Sequence, residues 1–410
     1  MTKLAVVSQI LPPAWSGQAM LIHRLLERVE ASRYCLVTEG GQPDAALSTD
    51  FTKPLEADRF ELSPRRPSRL PHPLLALLAN GVTVIRGAVR RVGEIQRIVL
   101  REGCDAVVAF TGMGVDIPTA YLASRRAGTR FYAYLCDDYA ARETFWAYRL
   151  PARLVEPWPL KGADGVVVPN EFLQEKLRRR FGVEATIVRN PVDLSAYDLP
   201  ERVQGAPHRA ARIVYTGAVY QAHYDCFVNL VWALDGRSAE LHLYTAQDAD
   251  DLAERGIRGP VVFHPHEPAG AMPRIQTEAD VLFLPLAFES PYPEVIRTSS
   301  PAKMAEYLAS GRPILVHAPA DSFVAWYFRR HECGLVVDQN DPELLAGELE
   351  RLLADPELQA RLGRNARARA EVDFDVVAAS AAFARLVGFG DEDMQSEPEP
   401  RHAPETARST

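Results

Sequence analysis

The residues best suited to chemistry are concentrated between Asp280 and His317, in DVLFLPLAFESPYPEVIRTSSPAKMAEYLASGRPILVH. Val281 to Leu284 form an apolar run that reads as a buried strand, and a Pro-containing loop follows. Ser300 is expected as N-cap and Pro301 as the first residue of a helix, PAKMAEYLAS, which Gly311 ends before Pro313 opens another strand. Met304, Tyr307 and Leu308 fall on one face of that helix, which leaves Lys303 and Glu306 together on another at i, i+3 spacing. The free N–H groups of a helix start, its dipole and the hydroxyls of Ser299 and Ser300 make a cradle for phosphate. One turn further on, the Glu306 carboxylate can accept the vicinal hydroxyls of a ribose. The same pair also fits a solvated ion pair on an ordinary surface helix, and the segment alone does not separate the two readings.

Other constellations carry weaker signals. Asp248-Ala-Asp250 has the spacing of a metal-holding D-x-D pair, but it lies away from a strand end, which favours an acidic helix start. His264-Pro-His266 lacks matching cysteine or carboxylate spacing and reads as a loop, so no metal site is expected. Asp137-Asp138 follows a predicted strand, where an active-site role and a loop-capping role both fit. Arg65, Arg66, Arg69, Arg86, Arg90, Arg91, Arg97 and Arg101 surround the apolar stretch of residues 65–101. That composition suits peripheral contact with an anionic membrane surface; it also suits a helix packed on a sheet with a solvated basic face.

These groups need a scaffold, and the pattern around them supplies one. Short β-branched runs alternate with longer helical patterns along the chain, the signature of parallel sheets built from βαβ units. Strands are predicted at Leu4–Val7, Tyr34–Val37, Ala106–Phe110, Phe131–Leu135, Gly165–Val168 and Thr186–Val188. A second set follows at Arg212–Tyr215, Glu240–Tyr244, Pro260–Phe263, Asp280–Leu284, Pro313–Val316 and Gly334–Val337. The polar stretch between the sets, DLPERVQGAPHRA, reads as a linker. The expected organisation is a Rossmann-like domain over 1–198, a linker over 199–210, a second Rossmann-like domain over 211–373, a helix over 374–390 returning to the first domain, and a disordered tail over 391–410. Ligands of open α/β sheets bind at the carboxyl ends of the strands, so two such domains place a site in the cleft between them.

Composition narrows the partners. The 410 residues amount to about 2.7 domains at ~150 residues each. A net charge of -8, from 46 Lys and Arg against 54 Asp and Glu, argues against a general nucleic-acid binder. The longest nearly apolar run, Pro73 to Ile85, is broken by Asn80 and Gly81 and is too short to span a bilayer. The 5 cysteines are scattered, odd in number and form no C-x-x-C pair, which fits a reducing compartment. The first residues, MTKLAVVSQI, lack the apolar stretch of a signal peptide, so a cytoplasmic location is expected, with membrane association left open.

Five blocks then share one order with a known family: SQILPPAWSGQAM, ADGVVVPNEFLQEKLRRRFGVEATIVRNPVDL, VYTGAVYQAHYD, FHPHEPAGAMPRIQTEADVLFLP and PAKMAEYLASGRPIL. They resemble the retaining glycosyltransferases of family 4, whose fold is the two-domain GT-B arrangement. The resemblance implies a UDP- or GDP-linked sugar donor bound by the second domain, a glycan, lipid-linked saccharide or metabolite as acceptor, and no cofactor. It places Glu306 on the second Glu of the family's E-x7-E motif, against the donor ribose. It puts Gly17 and Gly217 against the donor, His266 with its neighbours from His264 to Glu267 against the nucleobase, and no protein nucleophile in the reaction.

The departures from the family pattern bear on the same site. Eight residues before Glu306 stands Thr298 rather than Glu, while Glu289 follows the strand-ending Pro285 where the first family Glu is expected. Either the loop has lengthened around Glu289, which then contacts the sugar, or that carboxylate is gone. The family's diphosphate-binding Arg and Lys fall on Ala218 and His223, so positive charge must come from Lys303, Arg297, His223 or the helix start. YAYLCDDY resembles a segment in which His precedes Asp; here Cys136 takes the His position, followed by Asp137, the second catalytic candidate. A catalytically degenerate sugar-nucleotide-binding or scaffold protein of the same fold is the alternative. A sugar-nucleotide epimerase is disfavoured by PAKMAEYLASGRP.

Overall fold

The structure is a computed structural model that describes residues 2–14, 16–39, 54–64, 73–112, 115–138, 154–198, 210–390 and 393, with side chains over 73–84 excepted. Two parallel sheets organise it. The first has 7 strands in the order β3-β2-β1-β4-β5-β6-β7. They are β1 (Leu4–Val7), β2 (Tyr34–Glu39), β3 (Arg59–Leu62), β4 (Ala106–Phe110), β5 (Arg130–Tyr134), β6 (Gly165–Val168) and β7 (Thr186–Ile187). The second has 6 strands in the order β10-β9-β8-β11-β12-β13. These are β8 (Ala211–Thr216), β9 (Ala239–Tyr244), β10 (Val261–His264), β11 (Val281–Pro285), β12 (Ile314–His317) and β13 (Leu335–Val337).

Every predicted strand is present within about a residue or two at its ends. The strand absent from the sequence reading is β3, whose Arg59 and Glu61 are exposed. It is an edge strand with one neighbour, so it carries charge instead of an apolar run.

Helices cover both faces of each sheet. In chain order they are α1 (Gly17–Leu26), α2 (Pro73–Arg101), α3 (Asp116–Ala127), α4 (Pro157–Lys161), α5 (Glu171–Phe181), α6 (Tyr224–Leu234) and α7 (Ala249–Glu254), followed by α8 (Met272–Thr277), α9 (Pro293–Thr298), α10 (Ala302–Ala309), α11 (Phe323–His331), α12 (Pro342–Ala354), α13 (Pro356–Asp373) and α14 (Val376–Val387). Because crossovers bury both sheet faces, the strands read as continuous apolar runs. Ala5 and Val7 enter one core with Ile95 of α2 and Ala120 of α3, while Leu4 and Val6 enter another with Ile22 of α1. Phe383 and Val387 of α14 lie in that second core. In the second sheet, Leu282 and Leu284 meet Met304 and Leu308 of α10, and Val281 and Phe283 meet Phe227 of α6.

In both sheets the chain reverses its strand order beside the first strand, between β1 and β4 and between β8 and β11. Such switch points open a crevice at the strand ends. The loops after β8 and β11 therefore flank the ligand position of the second sheet. Residues 199–209 of the expected linker and 391–392 and 394–410 of the expected tail lie outside the described residues. Asp393, within that tail, is buried and ion-paired with Arg33.

Candidate active site

The crevice of the second sheet is shaped by prolines. Pro301 disfavours a helical Ser300, so α9 ends at Thr298 and the chain bends before α10 begins at Ala302. Pro301 is the N-cap, with an extended ψ of 136 and no side-chain capping bond, so Ser300 does not cap the helix and Pro301 is not its first residue. Ser300 is buried instead, its carbonyl accepting from Asn190 Nδ2 at 2.7 Å, and Ser299 is partly buried beside it.

Lys303 and Glu306 are not a solvated surface pair. Lys303 lies under Gly217, which follows β8 at φ 118; a Cβ at Gly217 would come within 3.5 Å of Lys303 Cε and 3.7 Å of its Nζ. The ammonium sits 4.8 Å from the Tyr215 ring centre. Burial pushes its pKa down to about 8, against an opposing pull from Glu306. Glu306 accepts from Arg24 Nη2 at 2.9 Å on Oε1 and from Gln276 Nε2 at 3.3 Å on Oε2.

The first domain contributes its own helix start. Ser16 caps α1 by accepting from Ala19 N at 3.0 Å, and a Cβ on Gly17 would lie 3.4 Å from Ala302 Cβ. The first residues of α1 and α10 thus meet across the domain boundary.

His223 supplies no cation. It is 2% exposed, its ring lies against Tyr220 at 4.5 Å between centres, and its Nδ1 is 3.4 Å from Tyr215 Oη. Burial, with the nearby Lys303 charge, holds its pKa well below the ordinary value, so the ring is neutral at pH 7. Arg297 is exposed and pairs loosely with Asp321 at 3.9 Å.

Glu289 is exposed, but its loop is fixed: the Phe288 and Glu289 N–H groups donate to Asp225 Oδ2 at 2.7 and 2.8 Å. Asp137 is partly buried in the bend after β5. Its neighbour Asp138 is buried and ion-paired with Lys176, which also reaches Glu294 of the second domain at 2.8 Å. His264 stacks on Tyr244 at 4.1 Å and 5°, with His266 partly buried just beyond. Asp248 caps α7 by accepting from Asp250 N and Asp251 N, the acidic helix start read from the sequence. Among the described residues, no group of three or more His, Cys, Asp and Glu is placed to hold a metal.

Sequence reasoning missed Arg24 and left Asn170, Gln276 and Asp225 inside the quoted blocks without an assigned contact. Their partners lie far along the chain, and no local spacing announces them. Asn190 stood in the block ADGVVVPNEFLQEKLRRRFGVEATIVRNPVDL without an assigned contact.

Two doubly wound domains whose helix starts meet at a shared cleft define the GT-B fold. Residues 247–369, which contain α8 to α10, match the family model described as glycosyl transferases group 1. The match falls within the second domain, in keeping with the family 4 resemblance. No curated protein matches the chain by sequence. Among solved structures, it is similar to sucrose-phosphate synthase from Thermosynechococcus elongatus, at 16% identity over 94% of this chain and 98% of that one, with a TM-score of 0.70. HepE from Anabaena in complex with UDP and glucose shares 16% identity over 94% and 99%, at 0.66. A glycosyltransferase from Rickettsia africae shares 13% over 94% and 98%, at 0.64. These likenesses establish the fold.

Proposed function

We propose that the protein is a retaining glycosyltransferase that moves a hexose from a UDP- or GDP-linked donor to a hydroxyl of a glycan, a lipid-linked saccharide or a metabolite. The observation that carries this reading is the meeting of the α1 and α10 starts, with Gly17 facing Ala302, Lys303 in the first turn of α10 and Glu306 one turn further in. Breaking the sugar–phosphate bond puts negative charge on the departing diphosphate, and donors aimed there lower the barrier. Lys303, the helix starts and the Ser299–Ser300 bend supply them. Glu306 accepts the ribose hydroxyls, the residues around His266 line the base, and Gly217 lets backbone approach the phosphates.

Glu289, at the crevice mouth, contacts the transferred sugar as it gains positive charge. Asp137 belongs to the acceptor side. The acceptor hydroxyl attacks the anomeric carbon on the face the phosphate leaves, and its proton passes to the departing phosphate oxygen. No protein nucleophile takes part. HepE was solved with UDP and glucose, which is consistent with a donor of this kind.

The reading places the protein in the cytoplasm, with peripheral contact to an anionic bilayer through residues 65–101, of which 65–72, with Arg65, Arg66 and Arg69, lie outside the described residues. Ile85 and Val89, at 65% and 62% exposure and one turn apart on α2, stand beside the exposed Arg86 and Arg90. No helix among the described residues is long and apolar enough to cross a membrane.

The test is nucleotide release from a panel of UDP- and GDP-sugars with mixed acceptors. Glu306→Ala is expected to abolish release while its thermal unfolding transition survives; full activity in that variant overturns the assignment. The neutral His223 and the Ala218 position favour one second reading, a sugar-nucleotide-binding protein without turnover. That reading is supported if the wild type binds donors and releases no nucleotide with any acceptor.

A further inference from the structure

The segment from Thr298 to Glu306, which carries the donor-side candidates, is held from the opposite domain at three points. Asn170 Nδ2 donates to Thr298 O at 2.8 Å, Asn190 Nδ2 donates to Ser300 O at 2.7 Å, and Arg24 Nη2 donates to Glu306 Oε1 at 2.9 Å. Arg24 is anchored in turn, since its Nη1 donates to Pro191 O at 2.7 Å. The guanidinium therefore spans two acceptors, and its planar fork fixes the direction in which it meets Glu306.

Across the carboxylate, Gln276 Nε2 donates to Glu306 Oε2 at 3.3 Å and to Thr216 Oγ1 at 3.1 Å. Gln276 Oε1 accepts from Tyr197 Oη at 2.6 Å. Glu306 is thus oriented by one donor from each domain. A carboxylate oxygen has two lone-pair sites, so each one keeps capacity for a further hydroxyl. The Arg24 and Glu306 side chains are only 15% and 16% exposed, so water does little to screen the pair.

We propose that Arg24 is a positioning residue that makes ribose recognition by Glu306 depend on the joined state of the two domains. The inference rests on reading Glu306 as the ribose acceptor. A vicinal diol engages both carboxylate oxygens only when the carboxylate plane is set, and an unrestrained Glu side chain loses rotamer freedom to reach that geometry. Arg24 sets the plane in advance. It travels with α1, whereas Glu306 travels with α10, so parting of the domains removes this restraint and weakens the hold on the ribose.

The experiment is a calorimetric titration of the full chain with UDP and GDP and with their 2′,3′-dideoxy counterparts, for the wild type, Arg24→Met and Arg24→Lys. The wild type is expected to bind a ribose nucleotide roughly 10- to 100-fold more tightly than its dideoxy form. Arg24→Met should erase most of that difference by weakening ribose-nucleotide binding alone. Arg24→Lys, whose ammonium lacks the fork, should restore only part of it. Equal weakening of both nucleotide forms, or no change in either, overturns the positioning role. A wild type that binds both forms equally overturns the ribose reading of Glu306 itself, a failure distinguishable from the first.

Discussion

If Lys303 holds the diphosphate as proposed, its depressed pKa makes that affinity depend on pH in a window where few other groups of the site titrate. Burial lowers this lysine from 10.5 to about 8. If only the ammonium holds the leaving group, the affinity is near its maximum at pH 7 and falls about tenfold between pH 7 and pH 9, because by then about nine-tenths of the free site has lost its proton. His223, His264 and His317 are all shifted downward by burial, so none changes charge across this range. Tyr215 and Tyr307 are shifted upward by burial and stay protonated.

Stability follows the opposite sign. The unfolded chain keeps this proton up to its ordinary pKa of 10.5, while the folded site releases it above about 8. The unliganded protein therefore gains stability from this group as pH rises through that window, and at pH 7 the buried ammonium costs at most roughly 3 kcal/mol. Lys303→Met should accordingly raise the melting temperature of the unliganded protein, weaken UDP or GDP binding roughly 10- to 100-fold at pH 7, and remove the alkaline fall in affinity. Calorimetric titrations at pH 7, 8 and 9, paired with thermal unfolding, read all three. An unchanged wild-type Kd from pH 7 to pH 9, or the same alkaline slope in Lys303→Met, refutes the assignment of Lys303 to the diphosphate.

Further outcomes follow from the same geometry. Gly217→Ala forces a side chain onto a left-handed backbone and places a methyl over Lys303, so donor affinity should fall with a stability loss of about 1–3 kcal/mol, measured by titration and denaturant unfolding. Asp225→Ala leaves the Phe288 and Glu289 N–H groups without their acceptor; turnover should drop more than nucleotide affinity, and equal retention of both counts against a role for the Glu289 loop. The double variant Ile85→Glu, Val89→Glu should lose sedimentation with phosphatidylglycerol vesicles while keeping donor binding, and unchanged sedimentation rules out α2 as the membrane contact.

Much of the scaffold was legible because parallel strands buried on both faces announce themselves as β-branched runs, from Leu4–Val7 to Leu335–Val337. β3 escaped because an edge strand can be charged. The start of α10 was misread by one residue because the restriction Pro301 imposes on Ser300 outweighs the capping tendency of serine. Within the site, Lys303 and Glu306 were legible from helical spacing, but their surroundings were not. No local pattern reports that Arg24, 282 residues away in sequence, reaches Glu306. Nor does one report that Lys303 is sheltered under Gly217, a consequence of how the β8 loop turns over α10. The neutrality of His223 likewise comes from the aromatic side chains that bury it, which only the fold brings together.

The central claim is that the junction of the α1 and α10 starts is where a nucleotide-sugar donor binds. A crystal structure of the protein with a UDP- or GDP-hexose tests it most directly. The account predicts the diphosphate at the start of α10 within hydrogen-bond distance of Lys303 Nζ, and the ribose hydroxyls on the Glu306 carboxylate. A donor bound elsewhere, or one in this cleft whose ribose faces away from Glu306, contradicts it.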